Sequence, residues 1–70
     1  MTADADVDAR GLKCPWPALR AARAMRTRES VVIVADDPMA ESELSSLAEE
    51  CGWAMAPIST HFGPGFRLSR

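Results

Sequence analysis

The sequence predicts a single α/β domain whose elements run in the order β-α-β-α-β-β. Three observations predict it: an unbroken β-branched run from Ser30 to Ala35, two stretches of helically spaced apolar residues that each open at a proline, and two short strand-like segments at the C-terminal end separated by glycine and proline. Seventy residues fill one domain, 1–70. A chain of that size buries only about 60% of its unfolded surface, so its core is small.

Taken in order, Ala5, Val7 and Ala9 alternate with Asp6, Asp8 and Arg10, the pattern of a first strand with one buried face, and Gly11 ends it. Residues 15 to 27 read as a helix with Ala18, Leu19, Ala22 and Met25 on its inner stripe and Arg20, Arg23 and Thr27 outside. Ser30 to Ala35 reads as a strand covered on both faces, and strand, helix, strand in so few residues predicts a right-handed βαβ crossover. Asp36-Asp37-Pro38 starts a second helix, with Asp37 as N-cap and Pro38 at the first helical position. That helix runs to about Glu50; Ala40, Leu44, Leu47, Ala48 and Cys51 form its buried stripe and Gly52 stops it. Trp53 to Ser59 reads as a strand in which Pro57 cannot donate to a ladder, so it belongs at a sheet edge or carries a bulge. Gly63-Pro64-Gly65 reads as a turn and Phe66 to Ser69 closes a hairpin.

Composition narrows the function. Apolar residues make up 47% of the chain, and no apolar run approaches the roughly 20 residues that span a bilayer. The first residues, Met1 to Asp6, lack the basic start and apolar core of a secretory signal, which favours the cytoplasm and reduced thiols. A net charge of −2 and a pI near 5.2 argue against a generally basic surface for nucleic acid. Charge is nevertheless segregated: Arg10 to Arg28 holds six cations and no acid, whereas Asp36 to Glu50 holds six acids and no cation. The two cysteines are 37 positions apart and His61 is the only histidine, so neither a metal site nor a cofactor is expected.

The chemistry concentrates at Cys14, in the run Gly11-Leu12-Lys13-Cys14-Pro15-Trp16-Pro17 ahead of an alanine- and arginine-rich helix. A thiol entering a helix meets its positive end, and Lys13 and Arg10 add cationic field in the same sense. Pro15 and Pro17 lack the N–H that would otherwise point at the sulfur, so the expectation is a thiol pKa moderately below the free value of about 8.5. The prolines stiffen the helix entry, and Trp16 between them reads as an apolar surface contact for a partner.

Asp8-Ala9-Arg10-Gly11-Leu12, the Cys-Pro-x-Pro motif at Cys14, the run Val31 to Pro38, Gly52 and the closing Phe66-Arg67-Leu68 together resemble the TusA-like, or SirA-like, sulfur-carrier family over nearly the whole chain. The resemblance implies a two-layer α/β sandwich, a mixed four-stranded sheet with both helices on one face, and a cysteine at the position of Cys14 that carries sulfur as a persulfide. It also implies protein partners: a donor such as a cysteine desulfurase or rhodanese, and an acceptor such as a DsrE-like protein. A sulfur relay needs neither nucleic acid nor membrane, and a monomer suffices. Lys13, Pro15, Trp16, Pro17, Arg20 and Arg23 are the residues expected to activate Cys14 or meet the partner.

Other residues have plainer readings. Cys51 continues an apolar stripe and reads as core, Asp36 and Asp37 as capping residues, and His61 as a solvated loop residue. Arg20 and Arg23, a turn apart, fit a docking rim or a solvated basic face equally. Two rivals to the carrier stand: an interaction module whose Cys14 is only redox-sensitive, and a thiol peroxidase or reductase using Cys14 with Cys51.

Overall fold

The computed structural model describes residues 2–70 and contains β1 (Val7–Asp8), α1 (Trp16–Met25), β2 (Ser30–Val34), α2 (Ala40–Cys51), β3 (Ala54–Thr60) and β4 (Gly63–Ser69). The predicted order of elements is the observed one. The strands form one mixed sheet in the order β1-β2-β4-β3, with β1 and β2 parallel and the other neighbours antiparallel.

Period-two alternation decides how the layers meet. Val31 and Ile33 of β2 and Leu68 of β4 point to one face, where they join Ala21 and Met25 of α1 and Leu44 and Ala48 of α2 in a single core. Both helices therefore lie on the same face of the sheet. Val32 and Val34, which alternate with these, are also buried, so the β-branched run is covered on both sides as its composition requires. β3 is an edge strand, and Pro57 sits in it without breaking an interior ladder.

The first strand is shorter than the Ala5–Arg10 alternation suggested. Only Val7 and Asp8 pair with β2, while Ala3 ahead of them bridges to Thr60 at the end of β3. The Ala3 N–H donates to the Ser59 carbonyl at 2.9 Å, and the His61 N–H donates to the Ala3 carbonyl at 3.2 Å. Residues before β1 thus tie the tip of the β3–β4 hairpin to the strand on the opposite edge. His61 has an ionic neighbour there, with Nδ1 at 3.3 Å from the Asp4 carboxylate.

The hairpin turn is also displaced from the expected position. His61 and Phe62 make it, and Gly63-Pro64-Gly65 belongs to β4. Thr60 is the cause: its buried hydroxyl accepts the Phe62 N–H at 3.1 Å and donates to the Gly63 carbonyl at 2.6 Å, closing the turn two residues earlier. Gly63 supplies the positive φ, +108°. Gly65 serves a different need, because a Cβ there would stand 2.7 Å from the Ile33 carbonyl oxygen of β2.

On α1 the buried row is Pro17, Ala21 and Met25, at i, i+4 and i+8, and Leu19 lies across the helix from it at 51% exposure. Leu19 was expected inside and is a surface residue. The stripe on α2 holds at Ala40, Leu44 and Ala48, with Leu47 half-buried, but Cys51 is exposed. Its angular position is right; its axial position is not. α2 ends there at Gly52, which takes the left-handed conformation at φ +72°, and Trp53 beyond it packs, half-buried, against the core.

Two stability predictions follow from these contacts. Gly65→Ala must displace β2 backbone and is expected to lower stability by about 1–3 kcal/mol in urea unfolding. Cys51→Ser changes an exposed position and is expected to stay within about 0.5 kcal/mol of the parent in the same measurement.

Candidate functional site

β1 and β2 are parallel neighbours, so their C-terminal ends lie at the same end of the sheet and the segments that follow them meet. After β1, Gly11 at φ +82° turns the chain toward α1. After β2 come Asp36 and Asp37. The Gly11 N–H donates to Asp36 Oδ1 at 2.9 Å and the Cys14 N–H to Asp37 Oδ2 at 3.3 Å. The Cys14 Sγ–H faces Asp37 Oδ1 at 3.8 Å, and that same oxygen accepts the Met39 N–H at 2.7 Å. Two carboxylates therefore pin the cysteine loop to the start of α2.

Cys14 lies one residue further from α1 than expected. Pro15 is the N-cap, Trp16 and Pro17 are the first two helical residues, and the Cys14–Pro15 peptide is cis. The Trp16 N–H is taken by the Lys13 carbonyl at 2.9 Å, so it is not aimed at the sulfur. α2 begins at Ala40 rather than at Pro38, with Pro38 and Met39 in a turn. Met39, not Asp37, is the N-cap of α2, and no side chain caps that helix; Asp37 instead takes the Met39 N–H in the turn ahead of it. Its contact with Cys14 lies outside the expected capping role.

These neighbours reverse the expected direction of the thiol pKa. Partial burial of the half-buried Cys14 pushes it up, the Asp37 and Glu43 carboxylates push it further by repelling a thiolate, and the S–H to Asp37 contact favours the protonated form. Arg10, expected to act on the sulfur, is occupied elsewhere. It pairs bidentately with Asp8 at 2.8 and 2.9 Å, holding that carboxyl at about 2, and stacks on the Phe62 ring at 4.3 Å.

The remaining expected residues divide. Lys13 and Pro15 are exposed. Trp16, at 57% exposure, lines a shallow surface hollow with Leu19, Arg20 and Arg23, an apolar patch bordered by cations on the outer face of α1. Pro17 is buried against the core, so it can stiffen the helix entry but offers no contact surface. Asp37 and Glu43 are the site residues that sequence reasoning missed. For Asp37 the available signal was topological, since acids placed directly after β2 share an end of the sheet with the segment that follows its parallel neighbour; Glu43, inside α2, carried no such signal.

The family described as Sulfurtransferase TusA matches residues 5–63, most of the chain and all of this site. The chain belongs to the TusA family. A protein of Archaeoglobus fulgidus named as a candidate sulfur carrier protein is 45% identical over 49 residues, covering 66% of this chain and 64% of that protein, so the match spans less than two thirds of that relative's length. The fold is similar to the crystal structure of a SirA-like protein from Desulfitobacterium hafniense, with a TM-score of 0.73 at 24% identity over 90% of this chain and 92% of that one.

The electrostatics of this TusA-family cysteine give a pH prediction. A thiol is neutral when protonated, so negative neighbours raise its pKa, and alkylation of Cys14 by iodoacetamide in a Cys51→Ser background should rise at a higher pH than alkylation of a free thiol. Asp37→Asn should move that profile toward lower pH and speed the reaction at pH 7. A profile unmoved by Asp37→Asn would remove Asp37 from the set of groups acting on the sulfur.

Proposed function

We propose that this protein is a sulfur carrier in which Cys14 takes the terminal sulfur of a donor protein's persulfide, holds it as Cys14–S–SH, and passes it to an acceptor thiol. In the first step the Cys14 thiolate attacks the terminal sulfur of R–S–SH. The bond to Sγ forms as the donor's S–S bond breaks, and the donor sulfur leaves as a thiolate that takes up a proton. No electrons are gained or lost overall, and transfer to the acceptor is the same exchange in reverse roles. Family membership supports the chemistry. The observation that carries the assignment to Cys14 is its position: a free, partly accessible thiol held by backbone and side-chain contacts, two residues ahead of Trp16, which belongs to an exposed apolar and cationic patch.

The patch of Trp16, Leu19, Arg20 and Arg23 fits a protein partner better than a small metabolite, since aromatic, leucine and arginine side chains on an open surface are the usual material of interface centres. We assign the donor to the cysteine desulfurase or rhodanese type and the acceptor to a DsrE-like or similar thiol protein. The carrier works as a monomer in a reducing cytoplasm.

The geometry disfavours an internal Cys14–Cys51 disulfide. Cys14 contacts the start of α2 whereas Cys51 is its last residue, roughly 17 Å along the helix axis, and a disulfide requires Cα atoms within about 7 Å. Incubated with a cysteine desulfurase and cysteine, the protein is expected to gain the mass of one or more sulfur atoms, Cys51→Ser to load equally, and Cys14→Ser to gain none. Loading that survives in Cys14→Ser would sink the assignment, and a mass loss of two hydrogens without added sulfur would favour the redox rival.

A further inference from the structure

The carboxylates at Cys14 face a sulfur that is to be attacked by, or to attack, a partner's sulfur, and they set a local negative field at a cysteine whose neighbours in sequence are cationic. We propose that Asp37, with Glu43, makes Cys14 selective for donors and acceptors that carry a cationic group beside their reactive sulfur. The inference deepens the carrier reading and rests on it for its biological meaning, although the selectivity itself is a property of the bare thiol.

The argument is geometric. Asp37 Oδ1 stands 3.8 Å from Sγ and its Oδ2 holds the Cys14 amide at 3.3 Å, so the carboxylate cannot swing away without releasing the loop. Its Oδ1 is fixed a second time by the Met39 N–H at 2.7 Å. Glu43 lies one turn into α2, and its negative charge adds to Asp37's in opposing a thiolate at Cys14. The nearby cations of the chain are placed otherwise: Arg10 is committed to Asp8 and Phe62, and Arg20 and Arg23 border the hollow that Trp16 lines. Lys13 is the remaining cation next to Cys14 in the chain. An ammonium or guanidinium on the partner, brought against Asp37 as its sulfur approaches Sγ, offsets the repulsion that keeps Cys14 protonated. An anionic partner group meets the same carboxylates and is turned away.

Thiol–disulfide exchange with small charged probes tests this without sulfur loading. In the Cys51→Ser protein, the rate of mixed-disulfide formation with cystamine is divided by the rate with 3,3'-dithiodipropionate, and the quotient is normalised to that of N-acetylcysteine amide, which corrects for the probes' intrinsic reactivities. Sγ bonds to one probe sulfur as the probe's S–S bond breaks, and the second sulfur departs as a thiolate. The normalised ratio is expected to favour the cationic probe by about tenfold at low ionic strength and to fall toward one in about 1 M salt. Asp37→Asn and Glu43→Gln should each lower it, Asp37→Asn more. A parent ratio at or below one overturns the proposal and gives the field at Cys14 to Lys13, Arg20 and Arg23. A high ratio that neither variant moves overturns the assignment to these carboxylates. Should Asp37→Asn fail to fold, Glu43→Gln and the salt titration of the parent decide. Failure of desulfurase loading would count against the carrier reading and leave this ratio intact, so the two are separable.

Discussion

The hydrogen bonds from Gly11 and Cys14 to Asp36 and Asp37 join the two halves of the molecule at the place where the thiol sits, and much of the site's geometry depends on them. They arise from topology rather than from local preference. A parallel β1–β2 pair brings the loops after both strands to one end of the sheet, one loop leading into α1 and the other into α2. Asp37 then serves three groups at once: the Cys14 amide, the Cys14 thiol and the Met39 amide. Its conformation is over-determined. Of the motif's own prolines, Pro17 is buried and Pro15 is exposed.

Much of this architecture was legible in the sequence because the relevant forces are local. The Val31–Val34 run, the Ala40, Leu44, Ala48 spacing, Gly52 as a helix stop and Pro57 at an edge each follow from periodicity or backbone chemistry that neighbouring residues reveal. The motif around Cys14 was legible in the same way. What escaped depends on where an element ends or what lies across from it. Cys51 has the right helical angle yet falls at the last residue of α2, and Leu19 lies outside the arc of α1 that the core meets, although Ala18 and Met25 of its expected stripe do pack inward. The hairpin turn moved because the Thr60 hydroxyl closes it, a contact that glycine and proline content does not advertise.

The direction of the Cys14 pKa is the most instructive miss. Nearby cations in the sequence suggested an activated thiolate, but sequence neighbours are not spatial neighbours: Arg10 turns to Asp8, and Asp37, 23 positions away, reaches the sulfur. The local count of charges was correct and its geometry was not.

A raised thiol pKa is compatible with sulfur exchange, and the magnitudes show why. At a pH below the pKa, each unit of increase lowers the thiolate fraction about tenfold, but the thiolate's intrinsic nucleophilicity rises by about threefold, given a Brønsted coefficient of 0.4–0.5. The net loss for an unassisted reaction is therefore only about threefold per unit. Against a partner whose positive charge offsets Asp37 and Glu43, the thiolate fraction is restored at the moment of contact, while away from that partner the sulfur remains protonated and less open to oxidation. Burial and the two carboxylates thus cost the transfer step little and act most strongly on encounters that bring no compensating charge. On the carrier reading, the acidic neighbours of Cys14 serve discrimination between partners rather than the intrinsic speed of the sulfur.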